Sequence, residues 1–242
     1  MTKLVVCSVL VVCLALSASA VNYQRTVIAI ARPTEYGEYI FLQGGDRIGS
    51  PIPILHNMTV GNARSVYAQT AANDHFLNWG GSEPGQGTYT NDGRQTQAEG
   101  TPMIWTTNDR SNSASVEDDG HGFSELNYQG EHLWLADLYM DCDKTSNGWF
   151  DFKAYMVDFR SGKSDPGWES HFINQEFCIV DGSMWGTQSN LQWNALNHHG
   201  RCGSFNFVMW SQNLCFANKL DDHMRPYRDE WVEDLSREPT TE

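Results

Sequence analysis

Two neighbouring stretches constrain the fold more than anything else in the chain: "HLWLADLYMDCD", from His132 to Asp143, and "NGWFDFKAYMVDF", from Asn147 to Phe159. Side chains on a strand point alternately to opposite faces. In the first stretch Trp134, Ala136, Leu138, Met140 and Cys142 fall on one side. Leu133, Leu135, Asp137, Tyr139, Asp141 and Asp143 fall on the other. In the second, Phe150, Phe152, Ala154 and Met156 share one side, opposite Trp149, Asp151, Lys153 and Tyr155. Each reads as a strand with one apolar face and one mixed acidic and aromatic face. Asn147-Gly148, after Lys144-Thr145-Ser146, is a hairpin signal. A hairpin here would place Asp141, Asp143 and Asp151 near one another, with Lys153 as a neutralising neighbour.

The rest of the chain follows the same β habit. "RTVIAIARP" is rich in β-branched residues and ends at a proline; "EYIFLQGGD" is a second strand stopping at a Gly-Gly turn. The two prolines of "GSPIPILHN" make it an edge or an extended loop. Residues 57–102 read as long loops with one short strand around "HFLNWG"; "TPMIWTTN" is another short strand, and "SNSASVEDDGHG" a polar loop. "HFINQEFCIV", "LQWNAL" and "SFNFVMW" are short apolar pieces. No helical period is sustained over three turns before the C-terminal end. The expected fold is all-β: a single antiparallel β-sandwich, jelly-roll-like, with long loops.

The ends read differently. "MTK", the apolar run "LVVCSVLVVCLALS" and "ASA" ending at Ala20 form the pattern of a secretory signal peptide. Residues 1–20 are therefore expected to be removed, and 21–218 to form the β-sandwich domain. Residues 219–242 form a charged tail, 12 of 24 residues being charged, with a short helix around "RDEWVEDL". The expected mature protein is secreted and extracellular, with 222 of the 242 residues. The formal charge of the whole chain is −14. That balance argues against nucleic acid and anionic membranes as partners, since both are bound by clustered Lys and Arg.

Cys7 and Cys13 leave with the signal. Cys142, Cys178, Cys202 and Cys215 remain, an even number that implies two disulfides in an oxidising compartment, with three pairings open. Their spacing matches neither a zinc ribbon nor a redox C-x-x-C. Asn57-Met58-Thr59 is an N-glycosylation sequon, so a secreted chain would carry a glycan at Asn57.

Three readings are open for Asp141, Asp143 and Asp151. The first is a solvent-facing sheet surface with a Lys–Asp contact. The second is a hard-cation site, for which calcium is the natural ion, although D-x-D alone falls short of an EF-hand. The third is catalysis by two carboxylates across a cleft. No G-x-S-x-G, H-E-x-x-H, P-loop or G-x-G-x-x-G pattern is present. His198-His199 beside Arg201 and Cys202 reads as a disulfide-anchored loop with hydrogen-bonding histidines. The expectation is a protein that is not an enzyme.

The chain has nine tryptophans. Several, including Trp79, Trp105, Trp149 and Trp168, sit beside Gly, Asn, Thr or Gln rather than in apolar runs. Trp offers a flat apolar face and one polar handle, which suits the C–H faces and hydroxyl rims of sugars. These four are the candidate carbohydrate-binding residues, and a polysaccharide or glycan is the expected partner.

"RTVIAIAR…GG", "PIPILHN", "LNWGGSEPGQG", "EGTPMIWTTN", "GEHLWLADLYMDCDKTSNGWFDFKAY", "GWE" and "NHHGRCG" together resemble a segment appended after the catalytic barrel in some secreted α-amylases of marine invertebrates and bacteria. The resemblance spans Arg25 to Phe207. It implies an accessory β-domain for polysaccharide contact and no amylase activity, because no barrel is present. It also implies the pairings Cys142–Cys202 and Cys178–Cys215. One departure is that "DRIGSP" lacks the cysteine pair of that segment. The reading is thus a secreted, non-catalytic carbohydrate-binding glycoprotein. The alternative is an acidic extracellular-matrix protein of a shell or other calcified or mucous layer, associated with calcium, mineral or a matrix protein.

Overall fold

The computed structural model describes residues 22–58, 65–79, 90–91, 94–95, 100–111, 121–160, 163–170, 176–181, 183–185 and 197–220. The expected signal peptide, nearly all of the tail and its helix lie outside these. Along the chain run β1 (Tyr23–Ala31), β2 (Glu38–Gly45), β3 (Ile52–His56), α1 (Val66–Ala71), β4 (Phe76–Leu77), β5 (Thr90–Asn91), β6 (Arg94–Gln95), β7 (Thr101–Pro102) and β8 (Ile104–Thr107). They continue as β9 (His121–Phe123), β10 (Leu133–Asp141), β11 (Trp149–Asp158), β12 (Lys163–Trp168), β13 (Phe177–Val180), β14 (Ser183–Trp185), β15 (His198–Arg201), β16 (Ser204–Met209) and β17 (Leu214–Lys219).

The fold is an all-β sandwich. The first sheet has the order β14-β13-β17-β16-β1-β10-β3-β4, with β8 and β9 beside β10. The second has the order β12-β11-β2-β7, with β15 also on β11. Most pairs are antiparallel, but β1–β16, β13–β17 and β8–β9 are parallel, so the first sheet is mixed rather than antiparallel throughout. The main core lies between the sheets. Ile28, Trp134, Leu138 and Met140 of the first meet Ile40, Leu42, Phe150 and Phe152 of the second, all at most 2% exposed. Full burial of one such side chain contributes about 1.5–3 kcal/mol.

The alternation read from residues 133–143 and 149–156 is what the structure shows, but the hairpin is not. β10 pairs with β1, β3 and β8, and β11 pairs with β2, β12 and β15. The two strands belong to facing sheets. Asn147 and Gly148 do form a tight turn, both at positive φ (56° and 84°), and Ser146 and Trp149 exchange backbone hydrogen bonds across it. Pairing ends at that single bridge. The preceding 3-10 turn Cys142–Lys144, capped by the Asp141 side chain, has already steered the chain off the first sheet.

Other boundaries shift for physical reasons. Gly44 and Gly45 are the last two residues of β2, still paired with Phe152 and Asp151, and the turn follows at Asp46–Ser50. "TPMIWTTN" divides at Met103: Thr101–Pro102 joins the second sheet and Ile104–Thr107 the first. The helix α1, six residues long and capped by Ser65, is too short to show a period.

Two disulfides are formed, Cys142–Cys202 and Cys178–Cys215. Cys142 starts the crossover from the first sheet to the second. Cys202 lies in the crossover back, between β15 and β16, and its N–H bonds to Gly148 O at 2.8 Å. That bridge joins two of the places where the chain changes sheets, β10 to β11 and β15 to β16. Cys178 and Cys215 are direct cross-strand partners on β13 and β17. No helix among the described residues is long and apolar enough to cross a membrane.

Candidate functional site

Along β11 the even positions face the main core, so the odd positions Asp151, Lys153 and Tyr155 are left to the outer side of the second sheet, while Trp149, at the start of the strand, still packs against the main core. On its neighbours the register sets Phe41, Gln43 and Gly45 opposite Tyr155, Lys153 and Asp151, with Trp168 beside Tyr155 and His199 beside Asp151. The result is a graded face. At one end Phe41, Tyr155 and Val157 form a small apolar cluster under Val66 of α1. In the middle lie Lys153 and Gln43. At the other end lie Asp151, His199 and Trp79.

Trp79 reaches this face because β2 has no side chain there. A Cβ on Gly45 would lie 3.3 Å from Trp79 Cδ1 and Nε1 and 2.7 Å from Ser50 O, so the indole rests on bare backbone. Trp168 sits at the opposite margin, edge-on to Tyr155 with centroids 5.1 Å apart, and is 37% exposed. It is the only exposed tryptophan among those whose burial is described. Trp149, half-buried at the start of β11, packs against the main core. Trp105 is elsewhere: it belongs to β8 of the first sheet, half-buried, its Nε1 donating to His132 Nδ1 at 3.1 Å. Of the four predicted sugar contacts, two therefore border one face, one stands at its end, and one is separate.

Asp141, Asp143 and Asp151 are not gathered into a ligand set. Asp141 is buried and accepts from Asp143 N at 3.1 Å; Asp143 is exposed and accepts from Asn22 Nδ2 at 3.3 Å. Asp151 lies in the facing sheet, where it accepts from His199 Nδ1 at 2.7 Å. The expected proximity fails because it required the hairpin. Among the described residues, the carboxylate, thiol and imidazole donors that do converge are Glu176, Cys178 and Cys215, and both of those sulfurs are held in the disulfide.

Burial perturbs the outer face. It raises the Asp151 carboxyl above its ordinary value, and the hydrogen bond and charge of His199 and a hydrogen bond from Asn197 offset only part of this. It lowers the Lys153 ammonium, against a partial opposing pull from Glu169. An acid moved up and a base moved down, on one sheet face flanked by tryptophans, are the displacements that functional sites favour.

Behind this face is a buried ionic chain that no motif announced. His198, 0% exposed, donates from Nε2 to Glu169 Oε2 at 3.0 Å and from Nδ1 to Glu176 Oε1 at 2.5 Å. With carboxylates on both ring nitrogens the ring is an imidazolium. Burial alone would lower its pKa, but the charges and hydrogen bonds of Glu169 and Glu176 prevail and raise it to about 10. Glu169 is pushed up by burial, yet His198 and the N–H groups of Ala154 and Ser211 leave it below its ordinary value. Glu176 also accepts from His199 N at 2.6 Å. Every polar atom of this chain is turned toward a protein partner, so it braces the face rather than meeting a ligand. His198 and His199 are hydrogen-bonded as the sequence suggested, although within a strand rather than a loop.

Comparison with known proteins gives no match to any family model, curated protein or solved structure.

Proposed function

We propose that this protein is a secreted, non-catalytic glycoprotein that binds polysaccharide on the outer face of its second sheet. The observation carrying the reading is Trp168, exposed and edge-on to Tyr155 at the margin of that face; Gln43, Lys153 and Asp151 are at most 5% exposed, so the proposed contact is the Trp168 margin. An exposed aromatic face is what the apolar C–H face of a sugar ring stacks on. The resemblance to the appended segment of secreted α-amylases supports the same ligand class. Two disulfides and the signal-like leader support export.

The test is retention of the purified protein on insoluble starch, chitin, cellulose and calcium carbonate, with and without EDTA. Retention on one polysaccharide, indifferent to EDTA and released by its soluble oligosaccharide, is the expected result. Retention on mineral alone, or only with calcium present, would replace this reading with the acidic-matrix one.

A further inference from the structure

The outer face of the first sheet carries an exposed patch that its own strands do not explain. On β3, β10 and β1 the register aligns Leu55, Tyr139 and Arg25 in one row across three adjacent strands. Leu55 is 52% exposed and Tyr139 40%. One step along the same face, Asn57 stands opposite Asp137, its N–H bonded to Asp137 O at 2.8 Å. Directly opposed side chains on a sheet have Cβ atoms about 4.5–5.5 Å apart and diagonal ones about 7–8 Å. Asn57 is therefore within one sugar ring of both Leu55 and Tyr139.

The Asn57 amide is also aimed. Its Nδ2 donates one hydrogen to Asp137 Oδ2 at 3.0 Å, and Arg25 holds the same carboxylate at 2.9 and 2.8 Å. Nδ2 carries two hydrogens. With one fixed on Asp137, the other marks the direction in which a substituent must leave. Asn57 is exposed, and it is the acceptor of the sequon Asn57-Met58-Thr59.

We infer that Asn57 carries an N-linked glycan whose first N-acetylglucosamine lies on the Leu55–Tyr139 patch, so that the chain covers its own exposed apolar surface with sugar. The modification joins Nδ2 to the anomeric carbon of an oligosaccharide supplied on a lipid diphosphate. The carbon–oxygen bond to the diphosphate breaks, the lipid diphosphate leaves, and one Nδ2 proton passes to solvent. The remaining Nδ2 hydrogen keeps its bond to Asp137. The apolar face of the sugar then covers the Tyr139 ring and Leu55, and Arg25 stands beside its hydroxyl rim. This inference rests on the secreted-glycoprotein reading, but it concerns the face of the other sheet from the polysaccharide site.

The full chain is expressed in a secreting eukaryotic cell, its glycan is trimmed enzymatically to a single N-acetylglucosamine, and occupancy of Asn57 is read by peptide mass spectrometry. Thermal unfolding is compared with that of Thr59→Ala, which removes the sequon and keeps the Asn57–Asp137 bond. The trimmed glycoform is expected to melt about 2–4 °C higher. That increment should vanish in Tyr139→Ser and shrink in Leu55→Ser; both positions are exposed, so the variants fold. An increment that survives both substitutions, or no increment, overturns the inference. So does an unoccupied Asn57 in the secreted chain, while retention on polysaccharide would still judge the other reading separately.

Discussion

Glu169 and His198 are 29 residues apart in sequence and lie end to end along the same edge of β11, joined by a 3.0 Å ion pair. Glu169 follows the last residue of β12, and its N–H bonds to Ala154 O; His198 begins β15 opposite Phe152. Between them the chain leaves the second sheet, adds β13 and β14 to the edge of the first, and returns to the line it left. Glu176, on the way to β13, takes the other nitrogen of His198. One imidazolium thus holds Glu169, Glu176 and the start of β15 together, and the Ser211 N–H ties the β16–β17 turn to the Glu169 carboxylate.

Removing the cation should therefore cost more than removing one anion. His198→Gln leaves two buried carboxylates without a counterion, a loss of about 3–5 kcal/mol. Glu169→Gln keeps an acceptor for Ala154 N and leaves Glu176 to neutralise His198, so about 1–3 kcal/mol is expected. Urea unfolding of the two variants checks the order; equal losses would mean that the pair does not carry the brace.

The same ring sets an alkaline limit. Its folded pKa, about 10, lies above the ordinary 6.5. A cationic group whose pKa rises on folding stabilises fully below the unfolded value and loses that stabilisation as pH climbs to the folded one. The urea midpoint should fall steadily between pH 6.5 and 10, and His198→Gln should flatten the curve across that window. Glu169 acts in the opposite sense: its pKa is depressed below the ordinary 4.5, so its contribution is present above that value and disappears on acidification.

How much of this could be read from the sequence depended on range. Alternation along residues 133–157 gave the two faces of β10 and β11, because parity is a property of one strand. It does not say which strand lies alongside, so Asn147-Gly148 reads as a hairpin, whereas it closes one bridge between facing sheets. Tryptophan counts suggested aromatic binding but could not separate Trp168, at a sheet margin, from Trp105, whose indole is tied to His132. Glu169 and Glu176 stand in "GWES" and "NQEFC", where no spacing marks a buried acid. They become visible only once β12 and β15 are seen on one edge of β11.

The Cys142–Cys202 bridge closes a separation of 60 residues and joins the β10–β11 crossover to the β15–β16 crossover. Chain-entropy reasoning gives about 4 kcal/mol for a loop of that size. The double variant Cys142→Ala/Cys202→Ala should lose an amount of that order in urea, while peptide mapping still recovers Cys178 linked to Cys215. Recovery of Cys178 on another cysteine in the native chain would contradict the architecture at β13–β17.

Two glycines should respond differently to the same change. A Cβ on Gly200 would lie 2.3 Å from Phe150 Cζ, and that ring is wholly buried. Gly200→Ala should cost about 1–3 kcal/mol from overpacking. Gly148 has open space around it but a φ of +84°, so Gly148→Ala should cost about 1 kcal/mol from backbone strain alone. Thermal melts of the two proteins give the comparison directly.

Trp168 and Trp105 separate binding from stability. Trp168 is at a sheet margin, 37% exposed, with its ring edge-on to Tyr155, so Trp168→Ala should cost about 0.5–1.5 kcal/mol of stability. If the outer face of the second sheet holds sugar, the same variant should weaken retention on the bound polysaccharide about tenfold or more, since exposed aromatic anchors dominate such contacts. Trp105→Phe deletes the Nε1 hydrogen bond to His132 and should cost about 0.5–1.5 kcal/mol of stability while retention is unchanged. The reverse pattern, with binding lost at Trp105 and kept at Trp168, would move the site to the first sheet.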